Sequence, residues 1–149
     1  MAKYRKIKSK SVILASDHAG FKLKEEIKKF LIEKRKKVLD LGTKNANSVD
    51  YPDYAHLLSK KMKKGKNQFG ILICGSGIGM NMAANKHKNI RAALCYNIKS
   101  TKLSRQHNDA NVMTIGSRLT RKNVALKCVN TFIKTGFKGG RHLRRVKKI

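Results

Sequence analysis

The stretch Phe69-Gly-Ile-Leu-Ile-Cys74, followed at once by Gly-Ser-Gly-Ile-Gly79, decides the fold of this chain. Its first six residues are almost continuously apolar, which is typical of a strand buried on both faces of a parallel sheet. The glycines at alternate positions then let the backbone approach a ligand closely. A helix is predicted next, over Met80–Lys86, and a buried strand that leads through such a turn into a helix is typical of an α/β protein.

Four further apolar runs predict the other strands of the same sheet. Segments with helical spacing lie between and after these runs, so strands and helices alternate along the chain. This alternation predicts a five-stranded parallel sheet with helices on both faces, in a single domain over residues 1–149. The runs are Ser11–Ser16, Val38–Leu41, Ala92–Tyr96 and Asn111–Ile115, and the helical faces are Leu23, Ile27, Phe30 and Leu31, then Tyr54, Leu57, Leu58 and Met62, then Val124, Ala125, Cys128, Val129, Phe132 and Ile133.

Several local expectations accompany this topology. Thr120 is predicted to cap the last helix, and Cys128, which lies inside the apolar stripe of that helix, is expected in the core. Pro52 is expected in a polar loop, after an extended Tyr51. A basic leader over residues 1–10 and a basic tail over residues 137–149 flank the periodic part of the chain.

The charge of the chain has two interpretations. Lys and Arg total 36 against 8 Asp and Glu, which gives a formal net charge of +28. Such an excess is found in nucleic-acid-binding proteins. However, the basic residues are spread along the whole chain and aromatic residues make up only 6%, without a Trp. A solvated surface is therefore favoured, and nucleic acid is expected at most as a weak, charge-driven partner.

The composition also excludes several other classes of protein. No apolar stretch approaches the roughly 20 residues of a membrane helix, and no membrane partner is expected. The three cysteines form no Cys-x-x-Cys pair and no disulfide framework, so a reduced, cytoplasmic protein is expected. The five histidines lack His-x-x-x-His spacing and acidic residues are few, so neither a metal nor another cofactor is expected.

Two strand ends carry side chains that are able to move protons. The first strand ends in Ser16-Asp17-His18-Ala19-Gly20, and ligands of open α/β sheets bind in such loops. Asp17 beside an imidazole is able to exchange protons with a substrate hydroxyl, or it merely caps the following helix. Cys74 ends the central strand before a helix N-terminus, which favours a thiolate. It is a base, a nucleophile or an inert buried thiol.

Two later segments add a further proton carrier and a phosphate clamp. His107 and Asn108 lie within Ser104–Asp109 and supply an imidazole and an amide, unless His107 is only a loop histidine in water. Arg141 and Arg145 are four residues apart, so they would share one face of a helix. Paired guanidinium groups suit a phosphate, although a solvated basic tail is the alternative.

In this order and spacing, the segments resemble type B ribose-5-phosphate isomerase, of the family that also contains the galactose-6-phosphate isomerase subunits. The resemblance runs from about Ser11 to Val146. It rests on Asp17-His-x-Gly20, Asp50-Tyr-Pro52, Gly70-Ile-Leu-Ile-Cys-Gly-Ser-Gly-x-Gly79, Ala84-Asn-Lys86, Ser104-Arg-Gln-His-Asn-Asp109, Asn111-Val112, Gly116-Ser-Arg118 and Gly139-Gly-Arg-His-x-x-Arg145.

The resemblance implies a Rossmann-like three-layer α/β/α sandwich and a metal-independent aldose–ketose isomerase of the pentose phosphate pathway. It would interconvert ribose 5-phosphate and ribulose 5-phosphate through an enediolate, in homodimers or dimers of dimers with shared active sites. Cys74 would be the base, His107 with Asp17 would assist ring opening, and Ser76 would move the hydroxyl proton. His18, Arg141 and Arg145 would bind the phosphate, and the Gly75–Gly79 amides would bind the enediolate. The whole substrate-binding set would be Asp17, His18, Tyr51, Gly75, Ser76, Gly77, Ile78, Gly79, Asn108, Arg118, Arg141 and Arg145.

Two alternatives to this function stay open. The substrate could be a six-carbon sugar phosphate, such as allose or galactose 6-phosphate, because the depth of the pocket cannot be read from the sequence. The chain could also be a basic protein that binds sugar phosphates or nucleic acid without turnover. Cys74 and His107 argue against the second alternative, because binding alone needs neither a thiol nor a proton carrier.

Overall fold

A computed structural model describes residues 11–62 and 67–149, so the basic leader over residues 1–10 lies outside the described residues. Strands and helices alternate along the described chain, as predicted. The elements are β1 (Ser11–Ser16), α1 (Phe21–Glu33), β2 (Val38–Asp40), α2 (Tyr51–Lys61), β3 (Gln68–Cys74), α3 (Ile78–Ala84), β4 (Ala92–Leu94), α4 (Ile98–Asn108), β5 (Val112–Gly116), α5 (Lys122–Lys134) and α6 (Arg141–Val146).

The strands form one parallel sheet in the order β2-β1-β3-β5-β4. β3 lies in the middle with a strand on either side, which is why its apolar run is almost continuous. The chain passes from β1 to β2 on one side and returns to β3 on the other side of β1. The strand order therefore reverses between β1 and β3, and ligands of open α/β sheets bind at such a point, at the carboxyl edge.

Helices cover both faces of the sheet. The core of one face contains side chains of α1 and α5, including Ile27, Cys128 and Phe132. The core of the other face contains side chains of α2 and α3, including Leu58 and Met80. α4 packs against α5, and α6 packs against α4. The predicted Rossmann-like α/β/α sandwich with a five-stranded parallel sheet is therefore confirmed, and so is the burial of Cys128.

Several predicted boundaries are wrong by one or two residues. β2 ends at Asp40 and β4 ends at Leu94, while β3 begins one residue earlier than predicted and β5 lies one residue later than predicted. α3 begins at Ile78 and ends at Ala84, earlier than predicted. Leu57 was expected to face the core, but it is 46% exposed. The boundary differences arise because short apolar runs do not fix the hydrogen-bonding limit of an element, whereas Leu57 lies inside α2 and faces away from the core.

Two local predictions fail for clearer reasons. Thr120 does not cap α5, because the extended residue that precedes the helix is Arg121. Pro52 lies in the first turn of α2 rather than in a loop, and Tyr51 begins that helix. Proline is tolerated there because the N–H groups of a first helical turn have no partner inside the helix.

The outer edge of β4 is blocked by a side chain. The amide of Asn85 accepts a hydrogen bond from the backbone N–H of Ala92 at 2.8 Å and donates one to the carbonyl of the same residue at 3.0 Å. Asn85 thus supplies both bonds that a neighbouring strand would make to Ala92.

Candidate active site

A cleft of about 360 Å³ opens at the carboxyl edge of the sheet, where the strand order reverses. The loops after β1 and β3 form two of its walls, and the loop after β5 and the start of α2 complete it. Its lining residues are Asp17, His18, Ala19, Tyr51, Cys74, Gly75, Ser76, Gly79, Arg118 and Leu119. Eight of these are residues that the sequence predicts for catalysis or substrate binding.

Cys74 is the last residue of β3, and its side chain accepts a hydrogen bond from the main chain. The residue is 4% exposed, and the N–H of Gly77 lies 3.1 Å from its Sγ. Gly77 has a φ of +78°, and a Cβ on it would lie 2.8 Å from the backbone of Ile115 and from a methyl group of Leu94. Only glycine fits this turn, and the turn aims an amide at the sulfur, where it stabilises a negative charge.

The glycine loop also contains the hydroxyl of Ser76, and two side chains of the cleft lie close against its backbone. Ser76 Oγ accepts a hydrogen bond from the N–H of Ile78 at 3.2 Å. A Cβ on Gly79 would lie 2.6 Å from the ring of Tyr51, and a Cβ on Gly75 would lie 3.1 Å from a guanidinium nitrogen of Arg118. The missing side chains therefore allow Tyr51 and Arg118 to close over the loop backbone.

The loop after β1 is fixed by hydrogen bonds of its two polar side chains. Asp17 is 5% exposed, and its Oδ1 accepts a hydrogen bond from the N–H of Gly20 at 3.0 Å, just before α1. Asp17 is therefore not the N-cap of α1, which is Gly20, but one of its two carboxylate oxygens holds Gly20 in place. Nδ1 of His18 lies 3.2 Å from both the N–H and the carbonyl of Val49, so this ring is oriented by the main chain.

A second group of predicted residues lies elsewhere in the chain. His107 and Asn108 form the end of α4, and Arg141 and Arg145 lie on α6, which is helical as their spacing predicts. The rings of His107 and His142 stack, with centroids 4.2 Å apart and planes inclined by 7°. We call these four predicted residues, together with His142, the His107 cluster.

His142 is a cluster member that the sequence analysis did not single out, although its position between two motif arginines was a signal. Its pKa is lowered from the usual histidine value, first by desolvation and then by the positive charges of His107 and the neighbouring arginines. A neutral His142 ring therefore stacks on His107 at neutral pH.

Within one chain, the cleft and the His107 cluster lie at opposite edges of the sheet. Arg91, just before β4, donates hydrogen bonds to the carbonyls of Asn108 and Asp109, so α4 ends beside the strand beginnings. β3 pairs with β5 from Gly70 to Cys74, so about 13 Å of strand separates the two edges. The fold brings Asp17, His18, Tyr51, Ser76 and Arg118 to Cys74, but it does not bring His107, Asn108, Arg141 or Arg145 there.

The other two cysteines, Cys95 and Cys128, lie in the core. Burial raises the pKa of Cys95 to about 11 and also raises that of Cys128, so both are ordinary core thiols. Among residues 11–62 and 67–149, no three His, Cys, Asp or Glu side chains are grouped so as to hold a metal ion. No helix of these ranges is long and apolar enough to cross a membrane.

Comparisons with known proteins find relatives of this chain in sequence and in fold. The model of the ribose/galactose isomerase family matches residues 12–149. Ribose-5-phosphate isomerase B of Escherichia coli is 42% identical over 140 residues, which cover 94% of each chain. The structure of ribose 5-phosphate isomerase B from Anaplasma phagocytophilum superposes with a TM-score of 0.90 at 46% identity, covering 97% of this chain and 98% of that one.

A third relative was solved with a sugar phosphate. Ribose-5-phosphate isomerase B from Mycoplasma genitalium, with bound ribulose-5-phosphate, has a TM-score of 0.90 at 44% identity, covering 94% of this chain and 93% of that one. Together with the match over residues 12–149, these similarities establish that the chain belongs to the ribose/galactose isomerase family, on its type B ribose-5-phosphate isomerase branch.

Proposed function

We propose that the chain interconverts ribose 5-phosphate and ribulose 5-phosphate, with Cys74 as the base. The observation that carries the proposal is a cysteine at the bottom of a cleft that also holds a carboxylate, a hydroxyl and a glycine loop. Relatives 42–46% identical to the chain are named ribose-5-phosphate isomerase B, and one of them was solved with ribulose-5-phosphate. An aldose–ketose isomerase needs a base, donors for an enediolate oxygen and a group that opens the sugar ring.

The proton transfer uses the thiolate twice. Cys74 takes the proton from C2 of the open aldose, which leaves an enediolate, and then returns that proton to C1 to give the ketose. The hydroxyl proton moves from O2 to O1 by way of Ser76, so no proton is gained or lost overall. The hydrogen bond from Gly77 to Sγ supports this role, because it stabilises the thiolate before the first transfer and after the second.

The main-chain amides of Gly75–Gly79 receive the negative charge of the enediolate. These amides are held by the left-handed turn at Gly77 and by the start of α3, so they need little reorganisation during the reaction. Removing one donor from such an anion hole typically costs about 3 kcal/mol of transition-state stabilisation. Asp17 keeps a second carboxylate oxygen for the substrate, since only Oδ1 is bonded to Gly20.

A second copy of the chain supplies the rest of the site in this proposal. His107 would open the ring with Asp17, and Arg141, Arg145 and His18 would bind the phosphate. What supports a shared site is the separation of the His107 cluster from the cleft of its own chain by roughly the length of a strand. A homodimer, or a dimer of dimers, in which each copy presents its cluster to the cleft of the other would complete two sites.

The remaining expectations are part of the same proposal. Residues 1–149 would act as one domain, with residues 137–149 as a phosphate-binding tail. The enzyme would work in the cytoplasm, within the pentose phosphate pathway. Its three free cysteines support a reducing compartment.

The test is turnover by the purified chain in the presence of a chelator. Ribose 5-phosphate, allose 6-phosphate and galactose 6-phosphate are offered in parallel, and the ketose formed is measured. Turnover of the pentose is expected. Activity on a hexose phosphate alone would change the substrate and keep the mechanism, whereas a folded dimer that is inactive on all three would overturn the proposal in favour of a binding protein.

The shared site is tested with hybrid dimers, isolated by a different tag on each copy. Cys74→Ala and His107→Ala are each expected to be inactive as homodimers. Their hybrid should recover about half of the parent activity, because one of its two sites then has an intact thiol and an intact imidazole. An inactive hybrid would show that both residues act within one chain.

A further inference from the structure

Arg105 lies beside the His107 cluster but has no part in the chemistry described above. It is located on α4, two residues before His107, and its side chain is only 3% exposed. Its guanidinium lies over the rings of Phe69 and Phe132, at 4.9 Å and 5.6 Å from their centroids. A cation buried between aromatic rings is costly unless its N–H groups also find acceptors.

The acceptors of Arg105 come from two different parts of the chain. Nη1 donates to Oδ1 of Asp109 at 2.8 Å and to the carbonyl of Ala110 at 2.5 Å. Nε donates to the carbonyl of Thr135 at 3.2 Å. Asp109 and Ala110 follow α4, whereas Thr135 ends α5. One side chain therefore fixes both the end of α4 and the start of the segment that leads to α6.

Asp109 is the residue through which Arg105 reaches the cluster. It has a φ of 45° and a ψ of 42°, a left-handed conformation that is uncommon for residues with a side chain. Arg91 holds it from the other side, with hydrogen bonds from Nη2 to its carbonyl at 2.9 Å and to Oδ2 at 3.3 Å. Two guanidinium groups thus maintain the turn that directly follows His107 and Asn108.

We propose that Arg105 is a positioning residue for the His107 cluster. The proposal rests on the function proposed above, since it assigns Arg105 to the half of the active site that one copy presents to the other. Through Asp109 it orients His107 and Asn108, and through Thr135 it sets where the phosphate-binding tail begins. A displacement of about 1 Å in such groups is enough to reduce turnover by roughly a hundredfold.

The first test compares Arg105→Met with a variant of similar stability. Methionine keeps an unbranched side chain between the two rings but removes every N–H donor. We expect kcat to fall roughly tenfold to a hundredfold and KM for ribose 5-phosphate to rise. Arg105→Lys keeps the charge and one bond to Asp109, so its kcat should be intermediate.

The matched control is Leu58→Ala. Leu58 is fully buried on the opposite face of the sheet, so its loss lowers the melting temperature without touching α4. Its kcat should stay at the parent value. A kcat for Arg105→Met that equals the Leu58→Ala value would overturn the proposal.

Hybrid dimers then decide which half of the site Arg105 serves. A hybrid of Arg105→Met and Cys74→Ala should recover about half of the parent activity, because one of its two sites is intact. A hybrid of Arg105→Met and His107→Ala should remain as impaired as the Arg105→Met homodimer or more so. If Arg105→Met fails to complement Cys74→Ala while His107→Ala does so, Arg105 acts on its own cleft and the proposal is wrong.

A readout without turnover separates this proposal from the proposed function. Should the parent chain be inactive on sugar phosphates, or should Cys74→Ala and His107→Ala fail to complement each other, the proposed function has failed. The imidazole NMR signals of His107 and His142 still test Arg105 in that case. Arg105→Met should shift both signals and Leu58→Ala neither, and unchanged signals in Arg105→Met would overturn the positioning role.

Discussion

The cleft and the His107 cluster are held together by different kinds of contact. In the cleft, main-chain amides hold the chemical groups, as Gly77 does for Cys74 and Gly20 does for Asp17. In the cluster, long side chains do so, and Arg105 reaches Thr135 across 30 residues of sequence. The cleft is therefore a property of local loops, whereas the His107 cluster depends on tertiary packing and buried charge.

The largest effect is expected for Cys74→Ala, which removes the proposed base and leaves the loop intact. Turnover should fall by roughly a thousandfold or more, as is usual when a general base is lost, while inhibition by inorganic phosphate stays unchanged. Cys128→Ala is the matched control, because it removes an equally buried thiol from the core. Equal turnover in the two variants would show that the cleft does not supply the base.

Gly77→Ala tests whether the backbone of the cleft matters as much as its side chains. The left-handed φ and the contacts at 2.8 Å should cost about 1–3 kcal/mol of stability, and displacement of the amide from Cys74 should lower kcat by tenfold or more. Gly139→Ala has a similar φ of +66° but open space around the added Cβ. A similar loss of stability and of kcat in both variants would mean that strain, rather than the cleft, is responsible.

Arg141→Ala should affect binding more than turnover, since it removes a phosphate contact remote from the reacting carbons. KM for ribose 5-phosphate should rise about tenfold to a hundredfold, and the parent KM should rise with salt. Arg144→Ala, on the same helix, removes the same charge without a proposed contact. Equal KM values for the two variants would leave only general electrostatic attraction as the role of the cluster.

The smallest effect concerns His87, which belongs to neither region. Nδ1 of His56, on α2, lies 2.8 Å from Nε2 of His87, and the pKa of His87 is lowered from 6.5 by desolvation, by His56 and by Lys60. Below about pH 6.5 the unfolded chain therefore binds more protons than the folded chain, so stability falls as the pH falls.

His87→Gln should reduce that pH dependence and leave kcat unchanged. The measurement is the free energy of unfolding in urea at pH 7.5 and pH 5.5, for the parent and the variant. The parent should lose more stability than the variant across this interval. The same loss in both would mean that folding does not lower the pKa of His87.

The sequence predicts the cleft well and the cluster poorly, for a physical reason. Cys74, Ser76 and Gly77 are neighbours in the sequence, so the local pattern was enough to predict the strand end and the glycine turn that place them together. The stacking of His142 on His107 and the bond from Arg105 to Thr135 depend on how α4 packs against α5 and α6. Such contacts join segments that no local pattern relates.

The topology also explains why the sequence did not indicate that the predicted site residues lie in two groups, at opposite edges of the sheet. The motifs follow one another along the chain as if they met at one place, but the direction of α4 carries His107 back to the strand beginnings. Only the order β2-β1-β3-β5-β4 and the direction of each helix reveal that the cleft and the His107 cluster lie at opposite edges of the sheet.

The amide of Asn85, which caps the edge of β4 at Ala92, has a consequence for how copies of the chain associate. A sheet with an open outer strand is able to recruit the same strand of another molecule and grow into a continuous fibre-like ribbon. Here one side chain satisfies the main-chain groups that would begin such growth. Strand addition at this end of β4 is thereby disfavoured.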